Sequence, residues 1–307
     1  MHFCDVIIVN YNAGALLDEA VASARHAGAA HVVVVDNASA DDSLAAVEAR
    51  ADPCITIVRN AANLGFAAAC NAGVKASRND TVLFLNPDAR LGPDSLARLT
   101  QVLWSNERIG MVGPKLVNPD GTEQRGGRRR LPTLGSGFGA SIRSLAGRRL
   151  GRSLGRLAKQ NTADFNQNEE PLPAHPVDVE AISGGCMMIR RSAIETVGLW
   201  DERYFLHVED LDYCMRFALH HLRIVFVPDT TVVHVKGASS GGRAIFVEWH
   251  KHKGMMIFYD KYLSGSQALP VRMLVKTGIL ARFCAVALSV TAQRMKRRII
   301  RNPAAQA

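Results

Sequence analysis

Residues 81–91, TVLFLNPDARL, decide how this chain is read. The apolar run Val82–Leu85 is short and shows no helical spacing, so it reads as a strand buried on both faces. Asn86-Pro87-Asp88 ends it, because Pro lacks the amide that a central strand needs. A carboxylate is thereby set just beyond the end of a buried strand, where open α/β sheets bind their ligands. Working outward, the plan repeats. Val6–Val9 runs into Asn10-Tyr11-Asn12, His31–Val35 runs into Asp36-Asn37, and the apolar stretch Thr231–Val235 carries His234 near its end. Helical segments Gly14–His26, Asp41–Arg50 and Phe66–Ser77 alternate with these strands, and Ile55–Val58 adds another strand. Repeated strand–helix units imply an α/β domain with a mostly parallel sheet flanked by helices.

Further along, Gly92-Pro93 opens the next helix. Ile109–Leu116, Cys186–Ile189 and Arg223–Val227 read as strands, and Val208–His221 as a helix. The expected division is a domain over residues 1–242 and a helical extension over 243–307. Residues 125–176 break the rhythm. Rich in Gly, Arg, Ser and Pro, they read as a mobile basic loop with a short helix near Ile142–Lys159. In the extension, Leu269–Met295 interleaves Arg272, Lys276 and Arg282 with aliphatic residues. That pattern suits an amphipathic helix lying on a membrane better than a span.

The chain has 307 residues, 48% hydrophobic and 21% charged, enough for a full core. Its net charge of +9 is unevenly placed: ten basic and no acidic residues lie between Glu123 and Asp164. The tail adds Arg294, Lys296, Arg297, Arg298 and Arg301. Such local excess implies an anionic partner. The basic segments are interleaved with aliphatic rather than aromatic residues, which favours a lipid surface or lipid-linked diphosphate over nucleic acid. Six scattered cysteines without a CxxC pair speak against zinc and for free thiols in a reducing, cytoplasmic compartment. The opening MHFCDVIIVNYN reads as a first strand, not a signal peptide.

Carboxylates gathered at strand ends with one His and no Cys suit a hard divalent cation holding a phosphate-bearing substrate. Asp88 is placed to bind it, since phosphates complete a magnesium shell that takes only one or two protein carboxylates. Asn86 could bond a ribose, though an Asn-Pro-Asp turn also forms without any ligand. Asp36 could accept from a nucleobase or cap the following helix. Gly65 and Gly73 bracket an Ala-rich helix whose small side chains either pack closely with no ligand, which composition alone favours, or let a ligand approach the backbone, and the absence of GxGxxG excludes a dinucleotide fingerprint. Glu209, Asp210 and Asp212 crowd a helix start, where the dipole favours the ionised carboxylate that a general base requires. His234 is either a second metal ligand or structural.

Several segments together resemble one family: VIIVNYN, VVVVDNAS, NLGFAAACNAG, VLFLNPDARL, GMVGPKLVNPDGT, ISGGCMMIRRSAIETVGLWDERYFLHVEDLDYCMRF and VPDTTVVHVKGASS. They are similar to the family-two inverting glycosyltransferases of GT-A fold, in the rhamnosyltransferase-like branch. The resemblance implies that Asn10, Tyr11 and Asp36 hold the donor base. It places Asn63, Gly65, Phe66, Asn71 and Asn86 along the nucleotide-sugar pocket, and Gly184 and Gly185 beneath the sugar and acceptor. Trp200, Asp201 and Glu202 would face the acceptor. Asp210 would be the base with Glu209 beside it, and Asp88 and His234 would hold magnesium or manganese. The implied donor is a nucleoside-diphosphate sugar, dTDP-L-rhamnose first among them. The implied acceptor is a lipid-linked polysaccharide precursor at the inner face of the membrane. N-acetylglucosamine or galactofuranose donors, or a non-catalytic glycan-binding module, are the alternatives. Three features depart from the wider family pattern: Asn86 stands at the first acidic position of the metal motif, as is usual in this branch, at the cost of one metal contact; Trp200 stands where Phe is common; and His220-His221 stand where a Gly often follows the acidic helix.

Overall fold

The structure, a computed structural model, describes residues 2–133, 165–235 and 243–301, with 296–301 described by backbone alone. Two compact units emerge: residues 1–131 with 163–239, and residues 132–162 with 240–307.

In the first unit, strands β1 (Cys4–Asn10), β2 (His31–Asp36), β3 (Ile55–Arg59) and β4 (Thr81–Leu85) alternate with helices α1 (Leu16–His26), α2 (Ser43–Ala49) and α3 (Phe66–Ala76). Every residue of β1 and β4 is buried, which is why neither strand alternates in sequence. The four strands lie parallel in the order β3-β2-β1-β4. Strand β5 (Ala89–Leu91), helix α4 (Ser95–Leu103), β6 (Ile109–Val117), β7 (Arg128–Arg129), β8 (Val177–Asp178), β9 (Ala181–Ile182) and β10 (Cys186–Arg190) follow. Then come α5 (Arg191–Val197), α6 (Glu209–Leu219) and β11 (Arg223–His234). The central sheet continues β4-β10-β6-β11-β5, with β10 antiparallel to both neighbours and β11 parallel to β6. The two strands expected over 223–235 are one strand interrupted by a bulge between Val227 and Thr231. The bulge lets one element pair with β8 at its start and β5 at its end. This is the α/β architecture expected, with a central mostly parallel sheet and flanking helices.

The described ends of the stretch expected as a loose basic loop are built in. Arg128 and Arg129 form β7, paired antiparallel with β9 in a separate two-stranded sheet. Arg128 is buried and paired with Glu123 at 2.8 Å. The helix expected near 142–159 lies outside the described residues.

In the second unit, α7 (Ala244–Phe258) runs into a π-turn (Tyr259–Leu263), and α8 (Leu269–Arg301) follows. Val275 and Ile279 of α8 are buried with Tyr259, while Leu269, Met273, Leu274, Leu280 and Leu288 are exposed. By length and composition, Leu269–Met295 is apolar enough to cross a membrane.

Candidate active site

Three local devices bring polar groups to the carboxyl ends of β1, β2 and β4. First, Asn10 at the end of β1 donates its amide to Asp36 Oδ1 at 2.8 Å and lies 2.8 Å from Ser43 Oγ. Ser39 donates from its hydroxyl to Asp36 Oδ1 at 2.6 Å and from its N–H to Oδ2 at 3.2 Å. Asp36 is thus fixed at the sheet edge by neutral donors. Tyr11 follows on the turn leaving β1, half-buried.

Second, Gly65 sits at φ +89°, and a Cβ there would lie 2.6 Å from Phe205 O. Only glycine permits that approach, which lets Phe66 N–H donate to the same oxygen at 2.8 Å. Asn37, which the motif reading left aside, donates to Gly65 O at 3.1 Å and lies 3.2 Å from Asn63 Oδ1. It ties the β2 end to the α3 entry.

Third, Asn86, Asp88 and His234 meet where β4, β5 and the end of β11 converge. His234 Nε2 lies 3.1 Å from Asp88 Oδ1 and 3.1 Å from Asn86 Nδ2. Asp88 is 6% and His234 6% exposed, so both are held out of bulk water. Val235 N–H donates to Asp88 O at 2.8 Å, locking the two elements together.

The acidic cluster is built by strain. His207 and Val208 have φ of +66° and +74° immediately before α6. A β-branched residue there is an outlier, and such strain concentrates at functional sites. It turns the chain so that Glu209, Asp210 and Asp212 fall in the first turn of α6. Asp210 Oδ2 accepts from Arg129 at 2.6 Å and from Gly184 N–H at 3.1 Å. Its Oδ1 accepts from Leu211 N–H at 2.8 Å. Burial alone would raise this carboxyl, but the Arg129 guanidinium and the Gly184 N–H bring it below the usual range. Glu209 goes the other way: burial and the Asp210 charge push it up, and its Oε2 has no hydrogen-bond partner among the described residues. The two neighbours are thus shifted in opposite directions. Asp212 instead is spent inside, paired with Arg216 at 3.0 Å.

The two acidic corners are joined by one dipeptide, Gly184-Gly185. Gly184 donates to Asp210, and a Cβ on it would lie 3.4 Å from Asp210 Cβ. The next residue, Gly185, accepts from Asn86 N–H at 3.0 Å, and its own Cβ would lie 3.2 Å from His234 Cε1. Successive Cα atoms are only about 3.8 Å apart, so a dipeptide bridges the Asp210 corner to the His234 corner.

Two expected site residues are corrected. Trp200 is 3% exposed, its ring stacked on Tyr213 at 4.4 Å and edge-on to Phe84 and Phe66. Its bulk belongs to the core rather than to an acceptor surface. Asn71 donates to Trp200 O at 3.0 Å and Glu202 Oε1 at 2.8 Å, and accepts from Trp200 N–H at 2.9 Å. Its amide is consumed in clamping residues 200–202 to α3, which removes it from the sugar pocket. Asp201 pairs with Arg203 at 2.7 Å. Sequence reasoning missed Arg129 and Gln124. Arg129 lay in a basic run with nothing to mark one arginine. Gln124 Oε1 lies 2.7 Å from His234 Nδ1, across 110 residues.

The chemistry of the donor set fits a divalent cation. Asp88 contributes an anionic oxygen beside an imidazole nitrogen, and no Lys or Arg is paired with it among the described ion pairs. No group of three or more His, Cys, Asp or Glu gathers among the described residues. A cation held by these two residues would have positions left for phosphate oxygens, as magnesium has in phosphate chemistry.

Residues 5–198 match glycosyl transferase family 2, and residues 154–294 match glycosyl transferase family group 2. An N-acetylglucosaminyl-diphospho-decaprenol L-rhamnosyltransferase of Mycobacterium tuberculosis is 29% identical over 290 residues, covering 90% of each chain. A dTDP-rhamnosyl transferase of Shigella flexneri is 22% identical over 216 residues, 68% of this chain and 61% of that protein. A mannosyltransferase of Pyrobaculum calidifontis, solved with GDP-Man and Mn2+, shares the fold with a TM-score of 0.56 at 17% identity. It covers 97% of this chain and 80% of that one. With more than half its length matched, the chain belongs to glycosyl transferase family 2 and is a transferase of sugars.

Proposed function

We propose that the chain moves an L-rhamnosyl group, with inversion, from dTDP-L-rhamnose to a hydroxyl of a lipid-linked glycan precursor. The observation that carries this reading is the Gly184–Gly185 dipeptide. It touches a carboxylate poised to accept a proton on one side and the Asp88–His234 pair on the other. An ionised base beside a phosphate-binding corner is what a single displacement at an anomeric carbon needs. Asp210 takes the proton of the acceptor hydroxyl while that oxygen bonds to the anomeric carbon. The bond from that carbon to the diphosphate breaks, and the nucleoside diphosphate leaves with the electron pair. Leu211 and Gly184 N–H groups hold Asp210 in place, and Arg129 keeps it ionised. Asp88 and His234 would hold magnesium or manganese, which would supply Lewis-acid stabilisation of the leaving diphosphate. Asp36 and Asn10, at the β1–β2 edge, bind the donor base, and Tyr11, Asn63, Gly65 and Phe66 line the pocket beside it.

The L-rhamnosyl donor and the lipid-linked acceptor rest on the two relatives described above. The acceptor reading also suits the extension 243–307, whose exposed Leu and Met side chains on α8 would meet a lipid surface. Anionic headgroups add about 1 kcal/mol per nearby Lys or Arg. The enzyme then works at the cytoplasmic face of the membrane. The test is a panel of nucleotide sugars scored by Mn2+-dependent protection against thermal unfolding, because a ligand of the folded state raises its stability. dTDP-L-rhamnose is expected to protect most. Stronger protection by an N-acetylglucosamine or galactofuranose donor would reassign the sugar, and no protection by any donor would remove the transferase corner from Asp88 and His234.

A further inference from the structure

We infer that residues 118–124 are a tautomer lock, with Gln124 the positioning residue that keeps the proton of His234 on Nδ1. The inference rests on the reading of Asp88 and His234 as the cation corner and adds how that corner is kept ready.

The sequence Asn118-Pro119-Asp120-Gly121-Thr122 repeats the Asn-Pro-Asp of the first motif but sits on a turn, where Gly121 takes φ +83°. The turn folds the chain back beside β6, and Gln124 N–H donates to Leu116 O at 2.8 Å. Gln124 is thereby buried, 4% exposed, against the end of β11.

The direction of each bond in this network can be fixed from its ends. The Asp120 carboxylate, when ionised, can only accept, so the Thr122 hydroxyl donates to it at 2.6 Å. Thr122 Oγ1 is then free to accept from Asn118 Nδ2 at 2.9 Å. That turns Asn118 Oδ1 towards Gln124, whose Nε2 donates to it at 3.0 Å. The backbone carbonyl of His234, also unable to donate, takes the other Gln124 proton at 3.1 Å. With both amide protons spent, Gln124 Oε1 faces His234 Nδ1 at 2.7 Å and must accept. His234 therefore carries a proton on Nδ1, and Nε2 is the ring nitrogen that faces Asp88 and Asn86. A metal-ligating imidazole is typically oriented by a partner on its other nitrogen. Here an uncharged amide does it, held in one orientation by two acceptors.

The test uses the full chain with isotope-labelled histidine, His234 being assigned by the signal missing from His234→Ala. Long-range nitrogen–proton correlation at neutral pH, without metal, is expected to show His234 protonated on Nδ1 in the wild type. Gln124→Leu should lose that preference and bind Mn2+, in the presence of dTDP, about 10- to 100-fold more weakly. Gln124→Glu keeps an acceptor for Nδ1 but no donors, so it should retain the tautomer and most of the Mn2+ affinity even if it melts earlier. That separates positioning from mere support of the fold. A wild-type His234 protonated on Nε2, or a Gln124→Leu protein with unchanged tautomer and Mn2+ affinity, would overturn the inference. A wild type that binds Mn2+ no better than His234→Ala would instead sink the cation corner itself, whatever the tautomer.

Discussion

Asp88 and Asp210 are both withdrawn from water, and each faces a nitrogen about a hydrogen bond away, yet the protein supplies them with opposite partners. Asp210 meets the fixed positive charge of Arg129 at 2.6 Å and takes two backbone N–H bonds besides. Asp88 meets His234 Nε2 at 3.1 Å, and Gln124 accepts from the other ring nitrogen. A carboxylate with no Lys or Arg paired to it attracts a cation. On the proposed reading, one corner carries its own countercharge, while the other takes its countercharge from a bound cation. The first suits a group that must stay ionised and in place, the second a group that binds a cation and a diphosphate together.

The comparison can be broken most decisively at the imported charge. Chelation by EDTA, or Asp88→Ala, should cost several kcal/mol of transition-state stabilisation, about a thousandfold in kcat/KM. Full activity in EDTA would show that Asp88 needs no cation. Asp210→Asn should lower turnover about 100- to 10,000-fold while leaving donor affinity near normal, and a titration of dTDP-L-rhamnose separates the two parameters. Near-normal kcat would take the base role from Asp210.

A sharper version concerns the built-in charge. The folded-state pKa of Asp210 is depressed, so the ionised form is present at neutral pH and activity is lost as pH falls through that low value. Arg129→Met removes the main lowering influence. The acid limb of the kcat/KM profile should then move to higher pH, with about a tenfold loss for each pH unit below it. An unmoved limb would mean that Arg129 only supports the β7–β9 sheet.

Glu209 reports on the same contrast through stability. Its folded pKa is raised, so the folded state favours the proton, and stability declines as pH climbs from the ordinary Glu value of about 4.3 through the raised one. Glu209→Gln should flatten that decline and leave the protein about 1–3 kcal/mol more stable at mildly alkaline pH, where a buried charge is no longer formed. Thermal melting from about pH 4, the ordinary carboxylate value, to above the raised value of about 8 measures it, and parallel curves for both proteins would refute the raised pKa. The smallest effect on chemistry is expected from ending the chain after Ser264. Nucleotide protection should survive while partition to anionic vesicles is lost, and unchanged partition would move the membrane contact elsewhere.

Much of the first half was legible because its physics is local. Strands β1, β2 and β4 are continuous apolar runs, and each ends in a polar residue that the sheet then places at its carboxyl edge. Asp36, Asp88 and His234 stood out by their places at or just past strand ends, and Asp210 by its place at a helix start. What misled was chemistry without a partner in view. The resemblance set Trp200 towards the acceptor, but Tyr213, Phe84 and Phe66 pack around it. Asn71 looked like a pocket amide, but its donors and acceptor are used on residues 200–202. The Arg-rich stretch looked uniformly solvated, but its second and third arginines form a strand.

The sequence by itself determined the alternation of strands and helices and the chemical type available at each strand end, since both follow from hydrophobic periodicity and from side chains near one another in the chain. Only the tertiary structure decided which charge each carboxylate would meet. Arg129 reaches Asp210 across 81 residues and Gln124 reaches His234 across 110. Pairings over such distances depend on how β7, β9 and β11 are brought together, and electrostatic energy depends on separation in space rather than along the chain.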